Sequence, residues 1–574
     1  MSALAPAPSL PSLPSRAPSE ARSPLPSQAP SVAGSRRDPV IDLLRAGSVL
    51  LVVVLHLLVA SITLSDGRVE IGTPIQDQAW FGPITWIVQV MPLFFIVGGF
   101  ASARLWERMR SRGATGRDFA AERIGRLLIP GLIMFAIVGA LLGIAALAGT
   151  PATLIADGSY WIGRPLWFLG VYLLVTALVP IMHAAHRRSP RLTLALLVVA
   201  VIGVDLARVP LGDGVALWNY AFVWLAMQQL GFFVADGSAF RLRRRTAVLM
   251  IVGAVAGLMI LTTAFGYPAD LLLAGNNPAS IALVVLGAGQ FAALLLAHSA
   301  LTRLASGARM SAVVDWVNVR STVIYLWHMT ALATVVAVML LAAVPLPDTF
   351  SAAWWITRPV VLAVIGLTLL PFLALARTVE RRIRLERSPI TSTTRIAAAV
   401  VLGIGSVIVI LQLGFVPLWS ALLAVALGVA ALRCAGYRLT GSDRALRTRL
   451  AGMTIGARTA GRTIRAHAMS MATRARIAGT TIKARVAGKT VGARAVTMSI
   501  KARIAGMTIG ARSAGRIIKA RIAGMAIRAR IAGIATRVAD VVVTVVDAGS
   551  AAVTARITAL GAARLPGRGR SALS

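Results

Sequence analysis

Three residues in the first apolar run, Asp42, Arg45 and His56, are the earliest place in this chain where chemistry could occur. Arg45 and His56 are eleven residues apart. On an α-helix that is about three turns, so the two side chains share a face, roughly 16 Å apart along the axis. Asp42 stands three residues before Arg45 and is placed to pair with it. A charged group inside an apolar span costs about 2.5–3.5 kcal/mol on insertion scales, which makes each of these a candidate functional residue. Apolar surroundings favour the uncharged imidazole, and an uncharged imidazole can take a proton from a hydroxyl as a general base. A histidine that only hydrogen-bonds between helices is the competing reading of His56.

A second group is Glu122-Arg123-Ile124-Gly125-Arg126, followed by Pro130. Arg123 and Arg126 lie three apart on one helix face, a spacing suited to gripping phosphates. Ordinary basic charge at a span end explains them equally well. His328, within Ile324-Tyr325-Leu326-Trp327-His328, reads as a structural hydrogen-bonding residue. Gly98 and Gly99, within Phe94-Phe95-Ile96-Val97-Gly98-Gly99-Phe100, read as a place where helices approach closely. His183, His186 and His298 read as polar residues at span ends. No HExxH, GxSxG, Walker motif or Cys/His cluster occurs, so no metal site is expected. Cys434 stands alone, which excludes a disulfide framework, a CxxC pair and a thiolate metal site within one chain.

The elements that must hold these residues are apolar helices. The chain is 57% hydrophobic and only 14% charged, against about 45–50% and 25% in soluble domains. Apolar windows long enough to cross a bilayer fall near 40–64, 84–103, 127–148, 166–182, 192–207, 215–235, 246–266, 280–299, 321–344 and 353–376. Two more, near 396–413 and 417–433, form a hairpin turned at Gly414-Phe415-Val416-Pro417. The expected fold is all-α: a polytopic transmembrane bundle of about ten core spans plus a C-terminal two-span hairpin. Alternate connectors at 104–126, 183–191, 236–245, 298–320 and 377–395 carry 7, 3, 4, 3 and 6 Lys/Arg, while the intervening ones hold only Arg68, Arg164, Arg208 and Arg358. That alternation is the positive-inside pattern; it implies the cytoplasmic membrane with both termini in the cytoplasm.

The organisation that follows has four parts. Residues 1–37, rich in Pro, Ser and Ala, read as a disordered cytoplasmic arm rather than a signal peptide, and Pro39 opens the first span. Residues 38–376 form the ten-span domain, 395–434 the extra hairpin and 435–574 a basic cytoplasmic tail. The tail carries 26 Lys/Arg against three Asp, out of a whole-chain net charge of +38. Its arginines recur every nine residues from Arg476 to Arg530, which is 2.5 helical turns and builds no continuous apolar face. Contact with anionic lipid suits such a tail. Nucleic acid is not an expected partner, since no aromatic residue interleaves the repeat to stack a base.

Taken together, these features resemble the acyltransferase-3 family of integral-membrane O-acyltransferases. The resemblance is carried by Asp42-Leu43-Leu44-Arg45 with His56, by Phe94 to Phe100, by Arg123-x-x-Arg126 before Pro130, by Pro165-Leu166-Trp167-Phe168-Leu169 with Tyr172, and by Tyr325-Leu326-Trp327-His328, in that order. It implies transfer of an acyl group, usually acetyl, from cytoplasmic acyl-CoA to a hydroxyl of a glycan, lipid or secondary metabolite, with no permanently bound cofactor. By the same resemblance His56 is the catalytic base or transient acyl acceptor and Arg45 its partner, Arg123 and Arg126 face the CoA phosphates, and Asp42, Trp167, Tyr172 and His328 line the substrate path. Gly98 departs from the pattern, since a serine is common there in the family. No esterase-like domain is read after the spans, so a relay ending on an attached outer domain is not expected.

Two other classes fit the same residues. A transporter or flippase could use Arg45 and His56 as an anion and proton relay, although matching broken spans in two halves are not evident. A scaffold whose product is the basic tail would leave His56 freely replaceable.

Overall fold

A computed structural model describes residues 38–439 apart from 66, 67, 343, 384 and 391. The expected N-terminal arm and the nine-residue repeats lie outside the described residues. Within them the chain is a helical bundle with two short antiparallel strand pairs. The helices are α1 (Pro39–Val59), α2 (Phe81–Val88), α3 (Met91–Ser111), α4 (Gly116–Leu147), α5 (Ala152–Gly163), α6 (Trp167–Ala177), α7 (Val179–Arg188), α8 (Pro190–Leu211), α9 (Asp213–Ala216), α10 (Asn219–Ala235), α11 (Arg244–Ala264), α12 (Ile281–Ala305), α13 (Ala308–Leu341), α14 (Ala352–Arg382), α15 (Thr393–Leu413) and α16 (Leu418–Cys434). The strands are β1 (Ser61–Ser65) with β2 (Arg68–Gly72), and β3 (Leu385–Arg387) with β4 (Tyr437–Leu439).

Among the described residues, nine helical stretches are long and apolar enough to cross a membrane, and α5 to α7, bent by 51°, would make a tenth. The remaining two of the twelve expected spans, α10 and α16, have 17 residues each. Differences from the expected bounds have local causes. The first run stops being helical at Val59 because Ser61 to Ser65 pairs as a strand. The second is broken at Gln89, just before Pro92. There the exposed backbone groups are satisfied by side chains, as a break inside a bundle requires: Gln89 Oε1 accepts from Met91 N (3.1 Å) and Gln290 Nε2 donates to Gln89 O (2.7 Å). The fourth begins earlier than expected, with α5, and is interrupted at Arg164–Leu166, where Pro165 has no N–H to continue the ladder.

Two apolar cores result. One surrounds α4 and takes in residues of α1, α13, α14, α15 and α16; the other surrounds α10 and takes in residues of α3, α8 and α12. Because α10 is wrapped by protein along most of its length, it can carry Gln228 and Gln229, which are 2% and 0% exposed. Gln228 Nε2 donates to Val175 O at 3.0 Å, and Gln229 Nε2 donates to His186 Nδ1 at 2.8 Å. The packing reading of Gly98-Gly99 holds at Gly99: a Cβ there would run into the Gln228 carbonyl, and one at Gly231 would sit 2.7 Å from Phe100 N and 2.9 Å from Gly99 Cα. Backbones of α3 and α10 meet directly at this point.

His183 and His186 are not simple edge residues. They are 5% and 3% exposed and form a clasp between helices. His183 Nε2–H donates to Glu107 on α3 (3.3 Å), and His186 Nε2–H donates to Asp236 (3.1 Å), just beyond α10. Burial pushes the Asp236 carboxyl up, but the two Ser238 hydrogen bonds and His186 outweigh it and hold it below its ordinary 3.8.

Two measurements follow. Gly231→Ala should lower stability in detergent by about 1–3 kcal/mol through overpacking, whereas Gly203→Ala, with nothing within 4 Å of its Cβ, should leave it unchanged or slightly raised; equal melting temperatures would contradict the close contact. The depressed Asp236 carboxyl stabilises the fold when ionised, fully above pH 3.8 and progressively less as pH falls through its folded value. Asp236→Asn should therefore melt lower than wild type at neutral pH, and the gap should close on acidification. A gap that widens toward acid would reverse the assignment.

Candidate functional site

Helices α1 and α13 carry the site between them. Asn318 Nδ2 donates to Asp42 O at 2.8 Å, Arg45 Nη2 donates to Ser321 Oγ at 3.2 Å, and the rings of His56 and His328 lie 4.9 Å apart at 65°, edge to face. Residue numbers rise together along these three contacts, so the two helices run side by side in the same direction. His328, which its own motif marks as structural and the family resemblance places on the substrate path, meets His56.

The hydrogen bonds orient both rings. His56 Nδ1 is 2.8 Å from Val52 O, and His328 Nδ1 is 2.6 Å from Tyr325 O. A carbonyl oxygen only accepts, so each Nδ1 carries hydrogen and each uncharged ring presents its lone pair at Nε2. His328 is 2% exposed and its Nε2 has no hydrogen-bond partner among the described residues. His56 is half-buried. An unpartnered buried acceptor beside a second, reachable imidazole is an arrangement that stores hydrogen-bonding capacity rather than using it up.

Tyr325 fixes this pair to the break in the fourth span. Its hydroxyl donates to Pro165 O at 2.6 Å. Its ring meets Phe168 edge-on at 5.0 Å, and Phe168 stacks on Tyr172 at 5.2 Å and 19°. Phe94 closes on both, 5.1 Å from Phe168 and 5.8 Å from Tyr172. Phe168 and Tyr172 are four residues apart and share one face of α6. Trp167 faces elsewhere, tilted against Tyr220 (5.8 Å) and Trp224 (6.0 Å). Of the residues expected on the substrate path, Tyr172 and His328 therefore join the histidine group, Asp42 sits by its backbone at the α13 contact, and Trp167 is separated from it by Phe168. Tyr172 packs over Gly98, where an added Cβ would lie 3.4 Å from the ring and 3.5 Å from its hydroxyl, an ordinary contact.

The arginine pair sits at the start of α4. Thr115 and Asp118 form a reciprocal capping box there, with Asp118 N donating to Thr115 Oγ1 (3.3 Å) and Thr115 N donating to Asp118 Oδ2 (3.0 Å). Arg123 pairs with Glu122 at 2.9 Å, lies over the Phe119 ring at 5.7 Å, and keeps a buried Nε without a partner. Arg126 is exposed and lies within electrostatic reach of Arg45, Arg123 and Tyr172. At one end of the α1 face Arg45 is thus within electrostatic reach of Arg126, and at the other His56 meets His328. Arg164 is within electrostatic reach of His56; its guanidinium lies over Tyr160 and Trp161 at 5.8 and 5.4 Å. Among the described residues no group of three or more His, Cys, Asp or Glu is placed to hold a metal ion.

No curated protein and no solved structure matches this chain. A family model does: that of the acyltransferase domain, over residues 38–377, a stretch that contains α1 to α13, most of α14 and every residue of the site. With paired imidazoles among its helices and a pair of arginines near the start of α4, and matched over more than half its length by that model, the chain belongs to the acyltransferase-3 family.

Proposed function

We propose that this membrane acyltransferase takes its acyl group from acyl-CoA, probed most simply as acetyl-CoA, and delivers it to a hydroxyl, with His56 as general base. The observation that carries the reading is the His56–His328 contact, with both Nδ1 atoms committed to their own helices and both Nε2 atoms left as acceptors. In this reading His56 Nε2 takes the proton of the acceptor hydroxyl as its oxygen attacks the thioester carbonyl. The tetrahedral centre then expels the thiolate, the carbon–sulfur bond breaks, and the proton held by His56 is passed to the leaving sulfur, so the ring is regenerated. His328 lies against His56 as a second lone pair and is a positioning residue. Tyr325 holds it against the Pro165 break.

The donor would enter at the mouth of Arg45, Arg123 and Arg126, with its phosphates on the guanidinium groups and its long pantetheine arm reaching along the shared face of α1, a distance of roughly 16 Å. The positive-inside reading puts that mouth on the cytoplasmic side, where acyl-CoA is found. Tyr172 and Phe168 would then line the passage between phosphate end and imidazole end. The acceptor hydroxyl would approach from the opposite side, past Arg164. The basic tail, on this view, contributes lipid contact and no catalytic group.

The reading is tested with purified protein in detergent, following acetyl-CoA consumption. His56→Ala should lower kcat by about 10²–10⁴-fold, the range for a general base, while leaving the melting temperature near that of wild type; equal turnover would remove His56 from the chemistry. Arg126→Ala should instead raise KM for acetyl-CoA by about tenfold or more, as loss of a charge-assisted phosphate contact does, with kcat little changed. A pure kcat effect would place Arg126 in the reaction rather than in donor binding.

A further inference from the structure

The matched family domain ends at residue 377, but the chain beyond it folds back onto the arginine mouth. β3 follows α14, the α15–α16 hairpin crosses the bundle and returns, and β4 then pairs β3 antiparallel with Leu385 opposite Leu439, Glu386 opposite Arg438 and Arg387 opposite Tyr437. Ser388 N donates to Gly436 O at 3.0 Å to close the pair. Gly436 has φ +84°, and a Cβ there would press to 2.6 Å from Ser388 O, so the turn into β4 requires glycine.

This small sheet is anchored on the turn of α4 that carries the donor-binding arginines. Arg387 Nη1 donates to Asp118 O at 2.8 Å. The Tyr437 ring fills the space over Gly125, where any Cβ would collide with it. Gly125 lies between Arg123 and Arg126 in the chain, and Tyr437 is within electrostatic reach of Arg387, Glu122 and Arg123. The charge balance at this place is uneven. Arg123 has Glu122 as its counter-ion, whereas Arg126 makes no hydrogen bond or ion pair among the described residues and Arg387 donates only to a backbone carbonyl. The Glu122 and Asp118 carboxylates are within electrostatic reach of Arg126 and Arg387 but do not pair with them, so Arg387 and Arg123 around the half-buried Tyr437 phenol, with exposed Arg126 one residue past Gly125, leave guanidinium groups open to an anion with several phosphates.

We infer that the donor site is completed from outside the family domain: Arg387 of β3 is a further phosphate-binding residue for the nucleotide end of CoA, and Tyr437 of β4 is the positioning residue that holds the sheet on Gly125. This rests on the acyl-CoA reading above. It assigns the extra hairpin a task, since α15 and α16 bring β4 back to the mouth from which α14 left.

The test is equilibrium binding of free CoA to the purified full chain, at two or more salt concentrations. Arg387→Ala should weaken binding about tenfold, the size of one charge-assisted contact, and should flatten the salt dependence of the dissociation constant, which a merely structural loss would not do. Arg387→Lys should recover part of the affinity. Gly125→Ala, which drives a methyl group into the Tyr437 ring, should weaken CoA binding in the same direction, and adding Arg387→Ala to it should cost less than in wild type. Arg395→Ala, which removes a nearby charge whose hydrogen bond goes to Arg433 O, should leave affinity and salt slope as they were. Wild-type binding with an unchanged constant and slope in Arg387→Ala would overturn this inference and leave the acyl-CoA reading standing. A wild-type protein that does not bind CoA would remove both.

Discussion

Two imidazole rings 4.9 Å apart in the interior of an apolar bundle impose a demand that the surrounding structure has to meet. Every polar atom withdrawn from water needs a partner or a use. Each ring gives its Nδ1–H to a carbonyl of its own helix, a local bond that survives any relative movement of α1 and α13. What depends on the packing is the other nitrogen. The meeting of the two rings depends on the parallel contact of these two helices, and that contact is held by Asn318 on Asp42 O and Arg45 on Ser321. Those bonds lie about two to four turns from the histidines, so they set the register of the rings without competing for their lone pairs.

The aromatic residues supply the rigidity that hydrogen bonds in this region cannot. Tyr325 has one polar atom, and it is spent on Pro165 O. Its ring, Phe168, Tyr172 and Phe94 then close on one another at centroid distances of 5.0–5.8 Å, the range in which edge and offset contacts add to simple burial. The break at Arg164–Leu166 is what turns this face of α6 toward α13. A continuous fourth span would have no irregular backbone at this depth.

Much of this was legible along the chain and some of it could not have been. Apolar run length and the alternation of arginines identify the spans because each is a local property of 17–25 residues. The face shared by Arg45 and His56 is equally local. The residues around His328 alone mark it as structural, and only the resemblance puts it on the substrate path, because its neighbour is set by the adjacency of α1 and α13, which no periodicity reports. Hydropathy also cannot separate the end of α1 from β1, since Ser61-Ile62-Thr63-Leu64 continues the same apolar run. Gln228 and Gln229 mark α10 as a helix enclosed by protein, and a count of apolar residues alone misses that signal. The three-residue strands β3 and β4 are too short to carry any period, so the return of the chain to α4 became visible only in three dimensions.

The position of the site follows from the way the two apolar cores divide the bundle. Adjacent residues go to different cores: Leu43 packs with the α4 core and Leu44 with the α10 core, and Phe94 and Phe95 separate in the same way. The helices α1, α3 and α6 are therefore the seam. A polar group placed in the middle of either core would have to be sealed, as Gln228 and Gln229 are. At the seam the two cores touch through a few aromatic rings, and a half-buried His56 keeps accessible surface there while its neighbours remain close-packed. Arg45, three turns along the same helix, opens the seam at one end. A polar site needs no pocket carved out of a core when the bundle is built as two cores with α1 laid between them.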